Sequence, residues 1–186
     1  MSAADRPARC RSPIRTSSPP RSPPGRAVPA RLIDTPVGPV LIIETAGRLA
    51  EIRFAAGTEP DRDDTPLLRR AEHQIAAYFA GTRRRFDLPL APAPTAFQAR
   101  VRRAMQAIPY GQTRGYGELA HEAGGAPRAV GQACGANRLP LVVPCHRVVA
   151  AGGLGGYSGG KGLATKRFLL ALEGAPLPGD KRRVGR

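Results

Sequence analysis

Leu141-Val142-Val143-Pro144-Cys145-His146-Arg147-Val148-Val149 is the stretch on which the reading of this chain turns. A short apolar run ends at a proline, and a Gly-rich segment over residues 152–160 follows. That pattern predicts a buried strand or turn, not a helix. Cys145 then sits on restrained backbone, beside an imidazole, at the edge of a loop. A reactive thiol would be built this way. A buried Cys next to an unrelated His fits the same residues, because free Cys often serves as a small core side chain.

Downstream come Tyr157-Ser158-Gly159-Gly160 and then Leu163, Ala164, Phe168, Leu169 and Leu172. Their spacing predicts a last helix over 163–173 with those apolar side chains inward. Glu173 falls at the C-terminal end of that helix, where the dipole disfavours a carboxylate, so another role is expected for it. Upstream, helices are predicted over 116–123 and over about 127–136, the second opened by Pro127, with Gly124-Gly125-Ala126 as the turn between them. Such a pair fits a helix-turn-helix. The second helix carries small side chains after Arg128. Small side chains allow close backbone approach, either to a neighbour inside the protein or to a DNA groove with Arg128 as a probe. Before this pair, Thr95 is a candidate N-cap. It opens a helix that buries Phe97, Val101, Ala104, Met105 and Ile108, with Arg100, Arg102 and Arg103 on its other side.

Residues 89–94 are Pro-rich and mark a domain boundary. Ahead of them, 40–44 and 49–54 predict a β-hairpin turning at Ala46-Gly47-Arg48, and 67–80 predict a helix ended by Gly81. Residues 57–66 read as a polar connection. The expected organisation is a disordered basic tail over 1–30, an α+β domain over 31–92, a helix-turn-helix domain over 93–176 and a basic C-terminal tail over 177–186.

The 186 residues carry 29 Lys plus Arg against 14 Asp plus Glu, a formal charge of +15. Residues 1–30 hold six Arg and one acid, which leaves +10 on the remainder. A basic folded part favours polyanions, nucleic acid first. Three Cys with no paired spacing argue against a disulfide framework and for a reducing compartment. No apolar run approaches the ~18 residues of a membrane span, and no secretory signal is evident. Cys10 and His73 are isolated, so no metal is expected. Cys134 reads as a small helix residue, His73 as structural or solvated, and His121 as capping or decorating a surface helix.

Taken together, these stretches resemble the O6-alkylguanine-DNA alkyltransferases, also called methylated-DNA–protein cysteine methyltransferases. The matching residues are Ile108-Pro109-Tyr110-Gly111-Gln112-Thr113, Tyr116-Gly117-Glu118-Leu119-Ala120, Arg128-Ala129-Val130-Gly131 and Asn137. They continue with Val142-Val143-Pro144-Cys145-His146-Arg147-Val148-Val149, Gly156-Tyr157-Ser158-Gly159-Gly160 and Leu169-Leu170-Ala171-Leu172-Glu173-Gly174. The likeness is dense over 97–174, weaker over 34–90 and absent in 1–30. It implies an α+β chain: a small ribonuclease H-like N-terminal domain, then a mainly helical, winged-helix-like DNA-binding and catalytic domain.

The resemblance also implies a reaction. The family moves an alkyl group from guanine O6 in double-stranded DNA to its own Cys, once per molecule and without a cofactor; O4-alkylthymine is a further candidate substrate. By position, Cys145 is the nucleophile, His146 the base acting through a water, and Glu173 the carboxylate that orients it. Tyr116 resembles the donor to the leaving guanine, Asn137 the structural link, and Lys166 a family Lys near the site. Arg128 resembles the finger that fills the stack, with Ala129, Gly131, Gln132, Gly135 and Thr113 against DNA. Pro140, Val148, Tyr157, Ser158, Gly159 and Gly160 resemble the guanine pocket. A cytoplasmic monomer with no membrane partner is expected.

The residue chemistry agrees. Dealkylation needs a thiolate, and an unperturbed thiol with a pKa of about 8.5 is mostly protonated near neutrality. A carboxylate-held His can take that proton. A base inside a duplex must leave the stack, and a helix of small residues bearing one Arg suits that task. Two departures stand out: the link from Tyr116 to Arg128 is shorter than the family's pattern, and Arg102 stands where Trp is frequent. The rival readings are a non-catalytic alkylated-base-binding protein, a helix-turn-helix regulator and a Cys-His hydrolase. The first would replace Cys145. The second would not need Cys145, His146 and Glu173 together, and the third would not need Arg128 and a basic surface.

Overall fold

The computed structural model describes residues 28–55 and 63–177. The expected N-terminal tail up to residue 27, most of the 57–66 connection and the C-terminal segment from 178 lie outside the described residues.

Strands β1 (Ala30–Ile33), β2 (Val40–Thr45) and β3 (Arg48–Phe54) form an antiparallel sheet in that order. β2 and β3 are the expected hairpin. Its loop residues Ala46 and Gly47 have φ of 50° and 70°, the left-handed pair that a two-residue hairpin turn requires. β1 pairs Ala30 with Ile43 and Ile33 with Val40. At four residues, directly after Pro29, it is too short to show an alternation in sequence. Helix α1 (Pro66–Phe79) starts at Thr65, whose hydroxyl accepts from Leu68 N at 3.1 Å, and packs Leu68, Ala71, Ile75 and Tyr78 inward.

The Pro-rich boundary segment is tied down. Leu49 N donates to Pro89 O at 2.8 Å and Ala91 N to Leu49 O at 2.9 Å, so the segment runs beside the start of β3. Arg102 donates to Ala91 O at 2.6 Å. Arg102, at the position where the resemblance leads one to expect Trp, thus pins the linker with a guanidinium.

Helix α2 (Ala96–Gln106) is capped as expected, Thr95 accepting from Gln98 N at 3.1 Å. Two residues, β4 (Arg114–Gly115), lead into α3 (Tyr116–Ala123), which ends at Gly124 with φ 65°. Helix α4 (Pro127–Gly135) follows. β4 pairs in parallel with β5 (Val148–Val149), Arg114 opposite Val148, which fixes the segment after Cys145 to the start of α3.

Helix α5 (Leu163–Leu172) corrects the predicted inward face. Leu163 and Phe168 are 43% and 40% exposed and Ala164 is exposed, while Thr165, Lys166, Leu169 and Leu170 are buried. Thr165 and Lys166 turn inward because polar partners wait for them: Thr165 Oγ1 accepts from Lys161 N, and Lys166 donates to backbone carbonyls. An apolar-periodicity argument cannot see such partners.

One hydrophobic core runs through both halves, from Ile42, Leu49 and Ile52 through Leu68, Ile75 and Tyr78 to Val101, Met105, Leu119, Val143 and Leu169. Among the described residues, no helix is long and apolar enough to cross a membrane.

Candidate active site

Cys145 opens a single 3-10 turn, Cys145–Arg147, at the end of a tightly bent segment. Val143 N donates to Leu139 O at 2.8 Å, and Leu141 lies inside that bend at φ 71° while fully buried. A branched residue in the left-handed region is strained backbone, held by its surroundings. Asn137, just past α4, holds the bend together. Its Oδ1 accepts from Leu139 N at 3.1 Å; its Nδ2 donates to Val143 O at 2.9 Å and to Cys145 Sγ at 3.2 Å. The turn reading of 141–143 holds, and Asn137 joins the end of α4 to the thiol by hydrogen bonds.

Behind the thiol, His146 is fully buried with Nε2 2.8 Å from Glu173 Oε1. Glu173, at the C-cap of α5, is a hub. It also accepts from Tyr78 OH at 2.7 Å, from Gly111 N at 3.2 Å, and from Arg147 Nε and Nη2 at 2.8 and 2.9 Å. Arg147 Nη1 continues to Ile108 O at 2.7 Å. The carboxylate that the helix dipole disfavours is thus held by a buried guanidinium and a tyrosine from α1.

These contacts set the proton positions. Burial alone would raise the Glu173 carboxyl, but His146 and Arg147 bring it down to about 2, so it is ionised. Burial lowers His146, against the pull of Glu173, so the ring is neutral near pH 7. An ionised acceptor on Nε2 puts the ring proton there and leaves Nδ1 as a base. Nδ1 is buried and has no hydrogen-bond partner among the described residues. Burial raises the Cys145 thiol, opposed by the Asn137 hydrogen bond. At rest the site therefore holds a thiol and a neutral imidazole, with a free acceptor on the ring.

Two cavities meet at Cys145. One, of about 290 Å³, is lined by Tyr116, Gly131, Cys134, Gly135, Gly156, Tyr157 and Ser158. The other, of about 640 Å³, adds Asn137, Pro140, Gly159 and Gly160 and is closed on one side by β3. Tyr116 is half-buried, and burial, then the neighbouring thiols, raises its hydroxyl, so it remains a donor. Cys134 faces inward, its Sγ 3.6 Å from Met105 Sδ and its thiol pushed up to about 12 by burial.

The other expected site residues lie on α4, ahead of β4 and around the loop that ends at Tyr157. Arg128, Gln132 and Gly135 are exposed on α4, Ala129 and Gly131 half-exposed beside them; Val130, Ala133 and Cys134 face the core. Small-residue packing and an open outer face thus coexist on one helix. Thr113 is half-buried just ahead of β4. Val148 does not line either cavity. It is fully buried, and its carbonyl accepts from Lys166 Nζ at 2.6 Å. Lys166 is itself fully buried, lowered to about 8 by burial, and also donates to Leu154 O at 2.6 Å and Gly156 O at 3.2 Å. It fastens the loop that ends at Tyr157.

Arg147, Tyr78 and Gly111 are the contributors that sequence reasoning left without a role. Arg147 stands in the quoted motif, yet a lone Arg reads as a surface charge. Tyr78 reads as a core ring, and its partner lies 95 residues away.

The chain is similar to known proteins over both of its halves. Residues 96–175 match the family model "6-O-methylguanine DNA methyltransferase, DNA binding domain", and residues 30–92 match "6-O-methylguanine DNA methyltransferase, ribonuclease-like domain". A methylated-DNA–protein-cysteine methyltransferase of Methanosarcina acetivorans is 42% identical over 77% of this chain and 97% of its own length. That of Mycobacterium tuberculosis is 44% identical over 81% of this chain and 94% of its own length. The crystal structure of Mycobacterium tuberculosis OGT in complex with DNA is similar with a TM-score of 0.70 and 44% identity, over 80% of this chain and 96% of that one.

Proposed function

This chain belongs to the 6-O-methylguanine DNA methyltransferase family, and from that membership we propose how it repairs alkylated DNA: the alkyl group on guanine O6 passes to Cys145. The activity is that of a methylated-DNA–protein-cysteine S-methyltransferase. The observation that carries the assignment of Cys145 is its place in one hydrogen-bonded group with Asn137, and beside His146 and Glu173, where two cavities meet.

In this reading Sγ attacks the alkyl carbon. The S–C bond forms as the C–O6 bond breaks, and the electron pair leaves on guanine. The thiol proton passes through a bridging water to His146 Nδ1, while Glu173 stabilises the imidazolium that results. Tyr116 donates a hydrogen bond to the departing base. A thioether has no leaving group that this site could displace, so each molecule acts once. Arg128 enters the stack when the nucleotide leaves it, and the small outer residues of α4 let the backbone approach the groove. Residues 157–160 close over the base. Lys166 serves by fastening that loop.

Double-stranded DNA is the partner, and we read the protein as a cytoplasmic monomer with a domain division at 89–94. Titration with excess duplex carrying O6-methylguanine tests the reading: repaired lesions should plateau at one per protein molecule. Continued turnover beyond that ratio would contradict it.

A further inference from the structure

The C-terminal half does not build the reactive pocket alone; β3 reaches it twice. Ile52 N donates to Arg138 O at 2.8 Å, next to the Asn137 that meets the thiol. Phe54, the last residue of β3, lays its ring on the backbone of Gly159 and Gly160. A Cβ on Gly159 would stand 2.7 Å from Phe54 Cε2 and 2.8 Å from Tyr157 Cε1. One on Gly160 would stand 3.2 Å from Phe54 Cδ1 and 2.7 Å from Thr165 Oγ1. At Gly159 a side chain would require a ring to move; at Gly160 it would meet the Thr165 hydroxyl first, on backbone at φ 53° that favours glycine.

At Gly159 the Phe54 and Tyr157 rings both lie against the backbone, and at Gly160 the Phe54 ring and the Thr165 hydroxyl do. The ends of the loop are anchored by polar contacts: Lys166 on the carbonyls of Leu154 and Gly156, and Gly162 N on Gly159 O at 2.9 Å. Between those anchors the glycines rest on Phe54.

We propose that Phe54 is a positioning residue for the base-binding loop. Its ring holds 157–160 in the conformation that receives the alkylated base, so a side chain of the N-terminal sheet sets substrate affinity without touching the reacting atoms. The proposal rests on the alkyl-transfer reading above. Loss of the ring lets the loop populate other conformations. Apparent affinity then falls with the competent fraction, while the rate at saturation stays. Attack of Cys145 on a small reagent needs no base pocket and is unaffected.

The test uses the full chain with Phe54→Ala and Phe54→Leu. Each is reacted over a concentration range with O6-benzylguanine and with an O6-methylguanine duplex, and separately with iodoacetamide across pH. Phe54→Ala should raise the half-saturating concentrations about tenfold and keep the saturating rates within about twofold. The iodoacetamide pH profile should not move. Phe54→Leu, which keeps apolar volume without the flat ring, should give an intermediate rise of about threefold. Unchanged half-saturation in Phe54→Ala, or in Phe54→Leu should the Ala variant not fold, overturns the proposal. So does an equal loss of iodoacetamide reactivity, which would make Phe54 a general support of the fold. A wild-type chain that reacts with iodoacetamide but with neither guanine substrate overturns the alkyl-transfer reading and this proposal with it.

Discussion

Glu173 accepts hydrogen bonds from Tyr78, Gly111, His146 and Arg147, and among the described residues no other side chain joins so much of the site. Its carboxyl lies at about 2 in the folded chain against an ordinary 4.5. A lowered acid stabilises the fold fully above its unfolded value, and that contribution drains away as pH falls from 4.5 through about 2. The amount is on the order of 3 kcal/mol. Glu173→Gln should lose it: urea unfolding of the variant should show a flatter loss of stability in that window. The variant should also be weaker near neutrality by roughly 3–5 kcal/mol, because Arg147 is left buried without its countercharge. A wild-type slope in the variant would show that another acid governs the window. At this scale Cys145, His146, Asn137 and Glu173 were legible, since each stands in a motif or breaks a local rule. Arg147 and Tyr78 were not, because their value comes from a partner brought near only by folding.

Helix α4 meets two demands at once. Val130, Ala133 and Cys134 pack inward, while Arg128, Gln132 and Gly135 remain exposed. Its start was readable from Pro127, and the cap at Thr95 and the turn at Gly124 were readable for the same reason: the residue type dictates the backbone. Helix α5 misled where Lys166 turned inward, because three carbonyls from other segments draw it there. The pairing of β4 with β5 is equally invisible, being two residues long on each side. The finger role proposed for Arg128 on α4 has a sharp consequence. Arg128→Ala should slow repair of duplex DNA by about tenfold or more, since extrusion of a base costs a few kcal/mol. Reaction with free O6-benzylguanine, which needs no extrusion, should stay within about twofold. Equal losses on both substrates, measured side by side, would remove the finger role.

Across the whole molecule, the two halves share a core and a site. Tyr78 reaches Glu173, Ile52 reaches Arg138, and Phe54 supports Gly159 and Gly160. In space the N-terminal unit thus meets the C-terminal half at Tyr78, Ile52 and Phe54. Charge also belongs to this scale. The +15 excess should give non-specific DNA binding whose log affinity falls linearly with log salt, with a slope near −0.9 per phosphate contacted. A flat salt titration would place the charge away from the interface. The most direct measurement concerns the thiol itself. After incubation with O6-methylguanine duplex, mass spectrometry of the digested protein should find one added methyl on the peptide containing Cys145 and none on that containing Cys134. An unmodified Cys145 peptide, with the lesion still in the DNA, would contradict the assignment of Cys145 as the alkyl acceptor.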